Sequence, residues 1–340
     1  MLTAALALAL SASPLQEAPA PVTQEAGVGQ AQAAQTPPVP DPAVVALEDV
    51  VVVAGRPLAE ATVDFVQRVA APPRDRGAAT WDRRVCVGVG NLQRDTAEYV
   101  IDRISTVAES IGLQAGWPRC EPRVFILFAA DADAAARDVV RARGRGFRIG
   151  VAGSDLGRDA MEAFQSSDRP VRWWQSSVPV DSETGRATER LPGMPPFSAY
   201  RLTSPNDLGE RAVRAFASRL RSPLRDALSQ VIIIVDVDQI EGVDIGALSD
   251  YLAMISLAQI DPDVDPGPYD SILGLFAPGQ SPPASLTDWD LAYLRGLYNA
   301  EQTAENPRAR VGDVAASMAR SVRARQQGED SGDQDPDNPR

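Results

Sequence analysis

The chain contains no histidine. It contains no lysine either, so all 33 of its basic residues are arginine. Each absence removes a chemistry. Without imidazole there is no Ser-His or Cys-His nucleophile pair, no imidazole general base and no histidine-held zinc. Without a side-chain amine there is no Schiff base, no Ser-Lys dyad and no phosphate-loop lysine. A genomic bias toward arginine codons is the bland cause, but the chemical consequence is the same. Long apolar runs are missing too: nothing approaches the ~20 residues that a spanning helix needs, so no integral membrane span is expected.

Positive charge is in the minority, with 46 acidic residues against 33 basic and a formal net charge of −13. Phosphate contacts need a basic face, so nucleic acid is not expected as a partner. The basic run RARGRGFR, Arg141–Arg148, is short, follows an Ala-rich helical stretch and reads as a solvated loop. Apolar residues, by contrast, make up 44% of the chain, enough for one sizeable core or two small ones.

Residues 1–13, MLTAALALALSAS, hold about ten apolar residues followed by small ones, the length of a signal-peptide core. No positive charge precedes the run. Ala9-Leu10-Ser11 is a tolerable cleavage site, while Ala18-Pro19-Ala20 is followed by another proline. The competing reading is a disordered Ala/Leu-rich terminus. Residues 14–45 are rich in Pro, Ala and Gln and read as a disordered linker. Residues 327–340 read as a disordered acidic tail. Signal core and tether together make an exported protein, periplasmic or secreted, the expectation.

Cysteine is scarce: Cys86 in RRVCVGVG and Cys120 in GWPRCEPRVFILF are the only two. A helix from about Asp95 to Gly112 connects their segments. If the two strands are neighbours, the cysteines approach bonding distance. In an oxidising compartment, closing that loop contributes about 3–4 kcal/mol by the chain-entropy model. Free, buried, small apolar residues are the alternative. Export favours the disulfide.

A single globular domain is expected over residues 46–300, with a C-terminal helix at 301–326. DVVVVAG reads as a strand, PLAEATVDFVQRVA as a helix with Leu58, Val63, Val66 and Val69 near one face, and VCVGVGN and RVFILFAA as strands. DADAAARDVVRARG begins a helix capped by Asp131 or Asp133. A short helix around Asp159–Phe164 precedes the strand PVRWWQSSVPVD. After the proline-rich RLPGMPP come a strand, FSAYRLT, a helix near Leu208–Leu220 and the apolar strand VIIIVDV. Strands alternating with helices, then a strand and a central helix, indicate an α/β or α+β fold.

That central helix, IGALSDYLAMISLAQI, is apolar nearly all round, so it lies under other structure. Three elements of the C-terminal third carry a resemblance. They are this helix with its QIDPD turn, the loop PYDSILGLF, and SLTDWDLAYLRGLY with Leu286, Thr287, Asp290, Leu297 and Tyr298. Together they resemble the metzincin class of zinc peptidases, and more nearly the uncharacterised exported bacterial domains related to it. The resemblance covers about a quarter of the chain. It implies a zincin-like α+β fold: a mixed sheet, a buried central helix, a Ser-Ile turn beneath the site and a closing helix. Local physics agrees with the last, because Thr287 can cap it with Asp290 three residues on, and Leu291, Leu294 and Tyr298 form its core stripe. The chain departs from the class at its centre. Where such a peptidase needs His-Glu-x-x-His, this helix offers Asp250, Tyr251 and apolar neighbours, so neither a metal site nor a cofactor is expected.

Three further groups could carry function. The carboxylates Asp236, Asp238, Glu241, Asp244 and Asp250 could supply an acid–base pair, as in glycoside hydrolysis, or simply solvate a strand end. Asp261, Asp263 and Asp265 have calcium-loop spacing, but proline stands where that loop needs glycine and Ile272 where it needs glutamate. Trp173 and Trp174 are adjacent on a strand and point to opposite faces. One ring should enter the core while the other marks an exposed edge for an extended peptide, unless Leu191–Pro196 covers both. The expected function is therefore non-catalytic binding or scaffolding in the cell envelope, with an extended peptide or an envelope protein as partner. The alternative is a metal-independent hydrolase using a carboxylate pair.

Overall fold

Five consecutive β-branched residues, VIIIV at Val231–Val235, suit a strand covered on both faces. In the computed structural model they end β8, Leu224–Asp236. Val231, Ile233 and Val235 enter one core while Ile232 and Ile234 enter another on the opposite face, the period-2 alternation of a pleated strand. The structure describes residues 52–72, 77–82, 84–143, 147, 157–186, 220–279, 283–304 and 306–332. All belong to one compact unit, Asp49–Arg340. The expected signal segment, linker, RLPGMPP break and FSAYRLT strand lie outside the described residues, as do 333–340 and all but the last residue of the Leu208–Leu220 helix.

The architecture is α+β with a mixed sheet, as expected. Strands β4 (Val87–Gly90), β6 (Val124–Ala129) and β8 run parallel, and β7 (Val171–Asp181) pairs antiparallel with β8, giving the order β4-β6-β8-β7. A short hairpin, β1 (Val52–Val53) with β2 (Arg56–Pro57), precedes α1 (Leu58–Val69). Strand β3 (Arg84–Val85) pairs in parallel with β5 (Gln114–Ala115), and α2 (Arg94–Ser110) joins β4 to β5.

The larger core holds α1, α2, the central helix α5 (Ile245–Leu257), α6 (Asp288–Asn299) and α7 (Pro307–Gly332). Its centre is Phe65, which sequence periodicity alone overlooked. The Phe65 ring meets Tyr269, Trp289 and Tyr293 edge-on at 5.4–5.7 Å, while Val63 is only half-buried. The stripe of α6 is also displaced, because α7 covers a second side of it. Tyr293, Leu294 and Leu297 are fully buried, whereas Leu291 and Tyr298 are half-buried. The two helices touch at Gly296, where a Cβ would lie 2.9 Å from the Met318 amide nitrogen. The C-terminal helix thus belongs to the core, through Val314, Ala315, Met318 and Ala319. It starts at Pro307, a residue suited to a first helical position, and runs on to Gly332.

The smaller core packs α3 (Ala132–Ala142) and α4 (Arg158–Ser166) on the other face, with Phe147, Phe164 and Trp174. Asp131 caps α3 by accepting from Ala134 N–H at 2.7 Å. Asp133 instead pairs with the buried Arg172 of β7. Cys86 and Cys120 are disulfide-bonded, with Cα atoms 6.1 Å apart. Among the described residues no helix is long and apolar enough to cross a membrane.

Candidate functional site

Helix α5 begins where Asp244 accepts from the amides of Gly246 and Ala247 at 2.8 and 3.0 Å. From Ala247 to Leu257 every residue is buried. A zinc-holding helix would present ligands four residues apart on one face. On the face of α5 turned to β7 those positions are Tyr251 and Ile255. The Tyr251 ring lies edge-on to Trp173, 6.3 Å between centroids, and to Phe276 at 5.1 Å. Burial pushes the Tyr251 hydroxyl well above the usual phenol range, so it stays neutral. On this face of α5, Tyr251 is thus enclosed by aromatic rings.

Asp250 points the other way. It is 1% exposed, and Arg103 of α2 grips both its oxygens at 2.5 and 2.8 Å. That hydrogen-bonded carboxylate raises the pKa of the guanidinium above its ordinary value. The same Asp250 accepts from Leu286 N–H at 2.8 Å, tying the central helix to the approach of α6. A second carboxylate completes the tie. Thr287 and Asp290 form the expected capping box, and Asp290 also accepts from Ser271 Oγ at 2.5 Å and Ile272 N–H at 2.8 Å. The Ser-Ile turn, a single 3-10 turn at Ile272–Gly274, is thereby fixed to the closing helix. Burial drives the Asp290 pKa up, against the opposing pull of its hydrogen bonds to Ile272, Ser271 and Thr287.

The carboxylates that could form a catalytic pair are dispersed over separate tasks. Asp244 caps α5, Asp250 binds Arg103, and Asp236 accepts from Asp238 N–H at 3.1 Å and from Gln239. Asp238 and Glu241 are exposed. In the turn after α5, Asp261 accepts from Asp263 N–H and Asp265 from Gly267 N–H, both at 2.8 Å, while Asp263 pairs with Arg169. Among the described residues no three His, Cys, Asp or Glu side chains converge to hold a metal ion.

Trp173 and Trp174 do face opposite sides of β7, but neither ring is exposed: each retains 4% of its surface. Trp173 donates its indole N–H to Ile260 O at 3.1 Å in the larger core. Trp174 packs against Phe147 and Phe164 in the smaller one. The exposed ring expected on the edge is therefore corrected. A second apolar layer on that face, not visible in the local sequence, encloses it.

The backbone of β7 remains of interest. Asp236 N–H donates to Pro170 O at 2.9 Å, which makes that opposed pair hydrogen-bonded. By the alternation of an antiparallel ladder, Val171, Trp173 and Gln175 then turn their N–H and C=O groups away from β8. Among the described residues no strand lies on that outer side. A groove of about 450 Å³ runs there, between Ala160 and Ala163 of α4 and the Gln259–Asp263 turn. Arg169 closes one end by donating to Pro262 O at 2.7 Å. Gln175, which sequence reasoning passed over, pins the floor. Its amide nitrogen donates to Ile255 O and Ala258 O at 2.6 Å each, and its oxygen accepts from Ile260 N–H at 3.1 Å. A glutamine directly after two tryptophans in a strand that is buried on both faces was the available signal.

Comparison of this chain with family models, with curated proteins and with solved structures found no match.

Proposed function

We infer that this is an exported, non-catalytic binding domain on a degenerate zincin-like frame, which holds an extended peptide along the first half of β7. The observation that carries the reading is the pairing of a filled centre with an edge that no described strand covers. Tyr251, Trp173 and Phe276 pack edge-on where the zincin-like reading would put a reactive site, while Trp173 and Gln175, whose backbone groups turn outward, line a groove. Strand addition needs a row of outward-facing backbone donors and acceptors beside a slot. The Cys86–Cys120 bridge agrees with an oxidising compartment, periplasmic or extracellular.

Display of random linear peptides against the full-length protein tests this. Enriched peptides should lose about tenfold or more in affinity when Ala163→Arg drives a long side chain into the groove. N-methylation at alternate peptide positions should weaken binding while methylation at the intervening ones does not, since only every second amide faces a neighbouring strand. Enrichment of nothing, or equal binding to the Ala163→Arg variant, would remove the reading. Peptide cleavage abolished by Asp250→Asn would favour the carboxylate hydrolase instead.

A further inference from the structure

The Cys86–Cys120 bridge anchors a displayed tryptophan. Trp117 lies in the turn that ends at Cys120, whose N–H donates to the Trp117 carbonyl at 3.0 Å. Its ring is 59% exposed, the most exposed large aromatic among the described residues. A lone exposed ring needs no explanation, but this one has an unusual setting. Gly116 beside it donates to Val85 O at 2.8 Å and abuts the bridge so closely that a Cβ would lie 3.1 Å from Cys86 Cα. Arg84 stacks its guanidinium 4.3 Å from the ring centroid while donating to Ala115 O at 3.2 Å and Gln114 Oε1 at 2.8 Å. The ring is thus held in place by a covalent bridge, a backbone turn and a clamped cation.

Beside Trp117 opens a basin of about 530 Å³, whose lining includes Arg84, Arg123 and Arg186. None of these three guanidiniums forms an ion pair with a described carboxylate. Of the two carboxylates that share the basin, Asp82 is already paired with Arg225, which leaves Glu121. Among the described residues, three guanidiniums without an ion pair thus face one such carboxylate, a locally positive lining on a chain whose net charge is −13.

We propose that this basin binds an anionic saccharide, a sugar ring that carries a carboxylate or phosphate. The C–H face of the ring stacks on Trp117, and Arg123 and Arg186 receive the anionic group through the planar fork that suits such oxygens. Arg84, fixed against the tryptophan, adds a stationary positive charge. The concavity suits a ring-sized ligand better than a flat lipid surface. The basin shares no lining residue with the groove along β7, so the two sites stand or fall separately.

Titration of the full-length, oxidised protein with a galacturonic acid trisaccharide and with its neutral galactose counterpart tests the proposal, followed by tryptophan fluorescence and calorimetry. The acidic sugar should bind at least about tenfold more tightly, with affinity falling as salt rises. Trp117→Ala, and the double variant Arg123→Gln/Arg186→Gln, should each weaken it on the order of tenfold. Both should keep the wild-type thermal midpoint, because all three side chains are exposed. A hexose phosphate run in parallel distinguishes the two anion sources, and preference for either over the neutral sugar supports the site. Equal affinity for acidic and neutral sugars, or wild-type affinity in both variants, would overturn it. So would binding to anionic lipid vesicles with no response to any sugar at roughly 10 mM.

Discussion

Arg103 reaches across from α2 to hold Asp250 of α5 by two hydrogen bonds, of 2.5 and 2.8 Å. The carboxylate is 1% exposed, whereas the arginine side chain keeps 38% of its surface. The two partners are therefore not equivalent. Arg103→Met strands a buried charge and should cost about 3–5 kcal/mol. Asp250→Asn frees an arginine that water can reach and leaves an oxygen for Leu286 N–H, so about 1–2 kcal/mol is expected. The double variant should be more stable than Arg103→Met alone. Urea unfolding of the three proteins checks the order, and equal losses for the two single changes would contradict it.

Gly296 lets α6 and α7 approach, with the Met318 amide nitrogen 2.9 Å and the Val314 carbonyl oxygen 3.0 Å from where a Cβ would stand. Both are backbone atoms, so a methyl group cannot be accommodated by a rotamer change. Gly296→Ala should gain helix propensity yet lose about 1–3 kcal/mol net through overpacking. A denaturation midpoint at or above that of the wild type would show that the helices can separate without cost.

The disulfide closes a loop with a sequence separation of 34. Reduction should lower stability by roughly 3–4 kcal/mol without unfolding the sheet. Thermal melts with and without reductant measure the difference, with circular dichroism below the transition reporting the fold.

Asp290 gives a pH signature. Burial, set against its hydrogen bonds, raises its pKa above the ordinary aspartate value. Between the unfolded and folded pKa values the native state then binds more protons than the unfolded one. Stability from this group is full below the unfolded pKa, near 3.8, and declines as pH rises through the raised one. Asp290→Asn can still accept from Ile272 and Thr287 through one oxygen but does not titrate. Its stability relative to wild type should therefore improve as pH is raised from about 3 to 7. A constant difference across that range would refute the assignment.

Much of the fold was readable because its two periods are strong. Helices α1, α2 and α3, strands β6 and β7, the buried α5 and the Thr287–Asp290 capping box follow from local patterns. The start of β8 did not, since LRDALSQ at Leu224–Gln230 mixes polar and apolar residues, and its strand form comes from pairing with β7. Long-range partners were equally hidden. Arg103 and Asp250 are 147 residues apart, and only the packing of α2 on α5 brings them together. The burial of Trp174 depends on Phe147 and Phe164, whose approach no period encodes.

The neighbouring indoles of β7 have a mechanical consequence. One is bonded into the layer under α5 and the other is wedged beneath α4, so the strand cannot slide or tilt without disturbing two separate hydrophobic layers. A guest laid against it would meet a rail already set in its final position. The entropy of ordering would then fall almost wholly on the guest, and affinity would depend on how stiff that segment is before it arrives.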